Sequence, residues 1–151
     1  MGIIKGNNAA GRVKALCISK EKGTKKESIR EAVFREDFGI INDAHAGSPR
    51  QVSLLAEESI GQMRARGLSV GAGDFAENIV CQGLDLKTLP LATKIKIGKS
   101  VILEIIQIGK VCVSRCAIYY RTGDCIMPRE GVFAKVLKGG VVKVGAKMEV
   151  F

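Results

Sequence analysis

Residues 94–109 read KIKIGKSVILEIIQIG, and this stretch decides the fold. Lys94, Ile95, Lys96 and Ile97 alternate polar and apolar at the two-residue period of a half-buried strand. Val101 to Ile108 is an apolar run rich in β-branched residues, and Gly98-Lys99 between the two reads as a hairpin turn. The same signature repeats outward from it. GRVKALCISK (11–20) reads as a strand in which Val13, Ala15 and Cys17 share one face, so Cys17 is expected to be a small core residue. Further strands are expected over Glu31–Glu36, Gln51–Leu55 and Asn78–Cys81. GVFAKVL (131–137) and VVKVGAKMEVF (141–151) close the chain, with Gly139-Gly140 as a hairpin turn between them.

One segment reads as a helix, from about Ala56 to Arg66. Ala56, Ile60 and Met63 recur at helical spacing on one face. Glu57 and Glu58 fall in its first turn and Arg64 and Arg66 in its last, which suits the macrodipole. Gly67 is placed to end it, and Gly61 weakens it at a position suited to close packing. LDLKTLPLAT (84–93) reads as a turn or a single helical turn. Short strands at regular spacing around one helix give a mostly β, barrel-like architecture with one main helix and short helical turns.

The chain has 151 residues, one domain's length. Residues 1–10 read as a loose N-terminal segment and 11–151 as the domain. The formal net charge of +9 suits an anionic small ligand. The densest basic run, KEKGTKK (20–26), reads as a solvated loop. Basic residues are not interleaved with aromatics and no recognition motif is present, which argues against nucleic acid. MGIIKGNNAAGRVK lacks the apolar core of a signal peptide, and the apolar runs are too short to span a membrane. A cytoplasmic protein with reduced thiols is the expectation.

Three of the five cysteines, Cys112, Cys116 and Cys125, fall within QIGKVCVSRCAIYYRTGDCIMPREG (107–131), between two expected strands. Connections between rigid elements are where functional groups concentrate. Three readings stand. Zinc needs four ligands, but the spacing is C-x3-C-x8-C and only His45, with Cys81 weaker, is left to complete the set. A reactive or sulfur-carrying thiol needs nearby cations, and Lys110, Arg115, Arg121 and Arg129 flank the cluster. A cation within about 4–6 Å lowers a neighbouring acid by roughly 1–3 pKa units. Inert packing is the third reading. Elsewhere, His45 lies beside Asp43 in DAHAG, and Arg50 and Gln51 are placed to hold an oxyanion or phosphate. GDFAENI (73–79) reads either as a strand-entry turn or as a loop offering backbone amides and Asn78 to a ligand.

GDFAENI, KIKIG (94–98) and GDCIMPREGVFAKVLKGG (123–140), with DAHAG (43–47) and RQVSLL (50–55), together resemble the MOSC domain, the C-terminal domain of molybdenum cofactor sulfurases. The resemblance runs from Gly11 to Phe151 and is to a stand-alone bacterial-type member. It implies a barrel-like fold, binding of the molybdenum cofactor (molybdopterin) and handling of sulfur. The family's characteristic cysteine lies near the domain's end, a place that Cys125 occupies best, with Cys116 and Cys112 as alternatives. Ligand handling carries over to His45, Arg50, Asn78 and Arg129, and no metal ligand is assigned. Pyridoxal phosphate belongs to a separate domain in the large members, so here it enters only through a partner. The implied partners are a cysteine desulfurase or a molybdoenzyme. The rival readings are a delivery module without turnover and a small zinc protein.

Overall fold

Alternation along each strand builds the architecture. The computed structural model describes residues 9–109 and 126–151. Its strands are β1 (Ala10–Ile18), β2 (Glu27–Ile29), β3 (Glu31–Arg35), β4 (Gly39–Ile40), β5 (Val52–Ala56), β6 (Ile79–Gln82), β7 (Lys94–Ile97), β8 (Val101–Ile108), β9 (Val132–Lys138), β10 (Gly140–Lys143) and β11 (Lys147–Val150). Helix α1 (Glu57–Ala65), a 3-10 turn (Leu86–Thr88) and a four-residue helical turn, α2 (Met127–Glu130), complete the described elements. The chain is mostly strand. β7 and β8 pair antiparallel across the Gly98 turn, as their sequence requires, with Ile97 opposite Val101. Strand order β11-β7-β8-β9-β5-β6-β1, with β1 returning to β11, closes a seven-stranded barrel. β2 extends it beyond β1, and β10, β3 and β4 form a separate small sheet.

Inward-facing residues fill the barrel: Leu54 of β5, Ile79 and Cys81 of β6, Ile95 and Ile97 of β7, Val132, Ala134 and Val136 of β9. Their immediate neighbours face the other way. Leu55, Val80 and Phe133 join Ile60 and Met63 of α1, Phe75, Ile126 and Met127 in a second core outside the barrel wall. β5, β6 and β9 are therefore apolar on both faces, because α1 and α2 cover them. β5 and β6 run parallel, and α1 supplies the crossover between them.

Three local expectations are corrected. Val13 and Ala15 do not share a face. The register slips between them, so Val13 pairs with Cys81 and Ala15 with Val80. This bulge at Lys14 sends Ala15 to the outer core and brings Leu16 into the barrel. Gly139-Gly140 is not a hairpin turn, since β10 pairs with β3 rather than β9. The two glycines instead let the chain pass tightly: a Cβ on Gly139 would strike the Phe34 carbonyl, and one on Gly140 the Ser100 hydroxyl. Gly61, third, serves no close contact, because a Cβ there would meet nothing within 4 Å. The first strand begins at Ala10, which pairs with Glu149.

The α1 boundaries follow the expected signals. Ile60 and Met63 are buried, Arg64 pairs with Glu57, and Gly67 at φ +93° ends the helix. Gly67 N–H donates to Arg64 O at 2.9 Å and Leu68 N–H to Met63 O at 3.2 Å, the paired bonds of a Schellman cap. With open space beside it, Gly61→Ala should stabilise the domain by about 1 kcal/mol through helix propensity alone. A rise in urea midpoint with unchanged m-value is the expected record, and a fall would show that Gly61 is needed as glycine.

Candidate functional site

β1 ends at Ile18, and the connection to β2 brings Lys26 back over that end. Lys26 is not part of a solvated basic loop: its side chain is wholly buried, as is that of Asp43. Lys26 Nζ donates to Asp43 Oδ1 at 2.8 Å and to Ser19 Oγ at 3.0 Å, and lies 3.1 Å from His45 Nδ1. Asp43 also accepts the backbone N–H of Ser19 on Oδ1 and that of His45 on Oδ2, both at 3.1 Å. Burial pushes the Asp43 carboxyl up, but the hydrogen bond and charge of Lys26, with these two amides, outweigh it and hold the group below its ordinary value. Three segments of sequence, at Ser19, Lys26 and Asp43–His45, thus meet at one ammonium. The lysine was hidden in the sequence because a buried lysine inside a basic run looks like its neighbours.

The GDFAEN loop packs directly on this cluster. Lys26 N–H donates to Gly73 O at 2.7 Å, and a Cβ on Gly73, at φ +86°, would overlap the Lys26 carbonyl. The loop's backbone amides are taken up from within: Glu77 accepts from Gly73 N–H at 2.6 Å and Phe75 N–H at 3.1 Å. Burial pushes Glu77 up to about 7, against the backbone amides that favour its charged form. Asn78 is fully buried. Its Oδ1 accepts from Ser53 N–H at 3.0 Å and Ser53 Oγ at 3.2 Å, and its Nδ2 donates to Cys17 O at 3.0 Å. Asn78 therefore ties β1, β5 and the start of β6 together.

Gln51 is likewise engaged inside, donating to Asp37 Oδ1 at 3.2 Å and accepting from Val136 N–H at 3.0 Å. Arg50 is exposed, with its guanidinium 5.4 Å from the centroid of the Phe133 ring. Arg129 is exposed on α2. Its neighbour Glu130 accepts from Ser59 Oγ at 2.8 Å and pairs with Lys87 at 3.3 Å. Because Leu54 pairs with Val132, α2 lies beyond the end of β5 next to α1, whereas Arg50 precedes β5. The two arginines enter from opposite ends of that strand.

Cys112, Cys116 and Cys125 lie outside the described residues. The strands flanking their segment are locked: Gly109 N–H donates to Gly131 O at 2.6 Å, and Ile126 and Met127 are buried in the outer core. The other two cysteines are fully buried, and burial pushes both thiols up to about 12. Among the described residues no three His, Cys, Asp or Glu side chains converge as a metal site. A cavity of about 420 Å³ lies near the β7–β8 turn, lined by Lys96, Lys99, Ser100, Ile102, Lys138, Glu149 and Phe151, and none of the candidate residues borders it.

Removing one member of the Lys26–Asp43 pair strands a buried charge, so Lys26→Met should cost about 3–5 kcal/mol in a denaturation experiment. Glu77 sets a pH dependence of opposite sign to that of a normal salt-bridged acid. Its folded-state value of about 7 lies above its ordinary 4.5, so the native state holds more protons between these limits. Stability should fall as pH rises from about 4.5 through about 7, and Glu77→Gln should remove that slope. Asp43, shifted downward, contributes stability that is lost only as pH falls below its ordinary range. Urea midpoints at pH 5 and pH 8 test this, and equal midpoints in the wild type would refute it.

The fold has known counterparts. The YuaD protein of Bacillus subtilis superposes with a TM-score of 0.77 at 18% identity, over 93% of this chain and 95% of that one. YiiM from Geobacillus stearothermophilus gives 0.70 at 17% identity, over 93% and 75% of the two chains. YiiM from Escherichia coli gives 0.66 at 18%, over 93% and 69%. At such identity the likeness is one of fold. No curated protein sequence matches the chain. Among the described residues no helix is long and apolar enough to cross a membrane. The family model for the MOSC domain matches residues 42–149, which takes in the Asp43–His45 loop, the GDFAEN turn and all the barrel strands from β5 onward, and the chain belongs to the MOSC domain family.

Proposed function

We propose that this MOSC domain binds an anionic molybdopterin-type ligand and carries sulfur on a cysteine of residues 110–125, Cys125 first. The observation that supports the sulfur role is one of elimination. Cys17 and Cys81 are buried and protonated, with thiols up to about 12, so thiolate chemistry falls to Cys112, Cys116 and Cys125. Arg129 follows Cys125 by four residues and adds positive charge to that end of the domain.

Two exposed arginines, one at each end of β5, are separate candidates for the phosphate of a molybdopterin-type ligand. Arg50 presents an exposed guanidinium held against Phe133, and Arg129 is a second exposed guanidinium. Such groups bind phosphate oxygens bidentately. His45 reaches the surface from the Lys26–Asp43 cluster as a further polar group for such a ligand, while Asn78 holds β1, β5 and β6 together. When bound, the cofactor supplies the molybdenum centre that receives or gives up sulfur. In the proposed carrier step the Cys125 thiolate attacks the outer sulfur of a partner's persulfide. A new S–S bond forms on Cys125, the donor's S–S bond breaks and the donor leaves as its thiolate, so no outside oxidant or reductant is required. A cysteine desulfurase with its own pyridoxal phosphate suits the donor role.

Incubation with a cysteine desulfurase and cysteine should add one sulfur atom to the intact mass. Cys125→Ser should lose the adduct, and Cys17→Ser and Cys81→Ser should keep it. An adduct surviving in Cys125→Ser moves the role to Cys112 or Cys116. No adduct on any cysteine favours the rival delivery module, which binds cofactor without turning it over.

A further inference from the structure

A lysine ammonium has three N–H donors and no acceptor. Lys26 meets three acceptors: Asp43 Oδ1 at 2.8 Å, Ser19 Oγ at 3.0 Å and His45 Nδ1 at 3.1 Å. An ammonium only donates, so Nδ1 must accept and the ring proton must sit on Nε2. Asp43 does not reverse this. Its Oδ2 is 3.9 Å from Nδ1, beyond hydrogen-bond reach, and takes the His45 backbone N–H instead. The Lys26 and Asp43 side chains are 0% exposed and that of His45 is 26% exposed, so the imidazole is the part of the trio that reaches the surface.

We propose that Lys26 is a positioning residue that fixes His45 as an Nε2–H donor, and that His45 thereby recognises an anionic oxygen of the phosphate or oxyanion class. The inference rests on the anionic-ligand reading and gives it a polarity. A metal takes a bare ring nitrogen, and a metal-bound histidine usually donates its other N–H to a carboxylate or carbonyl. Here the other nitrogen faces an ammonium, which is the opposite arrangement. The same lock denies Nε2 the lone pair that a general base needs. The site thus selects ligands with acceptors and rejects cations and N–H donors.

The chain contains one histidine, so long-range proton–nitrogen NMR of the labelled full chain reads its ring without assignment. The expected wild-type spectrum shows Nε2 protonated and Nδ1 bare. Inorganic phosphate should shift the Nε2 resonance saturably, and Zn²⁺ should leave both nitrogens unmoved. His45→Phe should weaken phosphate binding about tenfold or more, the worth of a hydrogen bond to a charged group. In Lys26→Met the Asp43 carboxylate becomes the charged neighbour of Nδ1, and the proton should move to Nδ1. The proposal is overturned by a wild-type proton on Nδ1, by Zn²⁺ at Nε2, by a ring that phosphate does not move, or by a folded Lys26→Met protein with its proton still on Nε2. The wild-type arms decide the matter where that variant does not fold. None of these measurements involves a cysteine, so a failed sulfur-transfer experiment and a failed tautomer experiment are separate results.

Discussion

Strand β1 carries the closure on which the rest of the structure depends. Its nine residues bond three partners in succession: Ala10–Arg12 to β11, Arg12–Leu16 to β6 and Leu16–Ile18 to β2. Without the β1–β11 pairs the sheet would have two open edges, each a row of unpaired backbone groups. Closing a barrel also sets a steric demand, because the inward side chains must fill a fixed interior. Strict alternation from Val13 would put Ala15 inside and Leu16 outside. The bulge at Lys14 exchanges them, and burying a leucine side chain in place of leaving it exposed is worth about 1.5–3 kcal/mol. One irregular residue thus brings the barrel's last wall into line with its core.

What could be read from the sequence was local. The β7–β8 hairpin declares itself through alternation before one glycine and a β-branched apolar run after it, and α1 through its charged ends and its glycine cap. Both are settled by residues within about ten positions of one another. β10 looked like the partner of β9 because only two glycines separate them, yet its partner is β3, a hundred residues away in the chain. Turn signals say where a strand stops and nothing about where the next one goes. The Lys14 bulge and the burial of Lys26 were illegible for the same reason. Each exists because of distant segments: Val80 and Cys81 for the bulge, Asp43 and His45 for the lysine.

The site residues divide along a physical line that family motifs do not mark. Asp43 and Gln51 sit in the same short motifs as His45 and Arg50, and Glu77 and Asn78 share a third, but all four are buried and engaged. Among the described residues no buried side-chain nitrogen or oxygen lacks a hydrogen-bond partner. A buried, saturated group cannot turn toward a ligand without leaving its partners unpaired, at a cost of about 1–3 kcal/mol each. Arg50, by contrast, is held on one side by the Phe133 ring and stays exposed. Residue type and spacing showed that these segments matter together. Burial decides which members build the site and which face out of it.

The Lys26–Asp43 pair poses a question of purpose. Replacing a buried ion pair with apolar residues of similar size is often neutral or stabilising, so stability alone does not account for this one. An apolar pair would, however, give no direction. Lys26 bonds the end of β1 through Ser19 and the DAHAG loop through both Asp43 and His45, and its own backbone bonds the GDFAEN loop through Gly73. The Ala44 N–H adds a bond to Ser19 O at 2.8 Å. The end of β1 and two loops are thereby placed relative to one another by directed bonds from one residue. Apolar packing tolerates slippage of such loops, whereas a donor meeting three acceptors at 2.8–3.1 Å does not. The pair's contribution lies in this geometry: it sets where the DAHAG loop stands against the barrel, and with it the position and tautomer of the one imidazole in the chain.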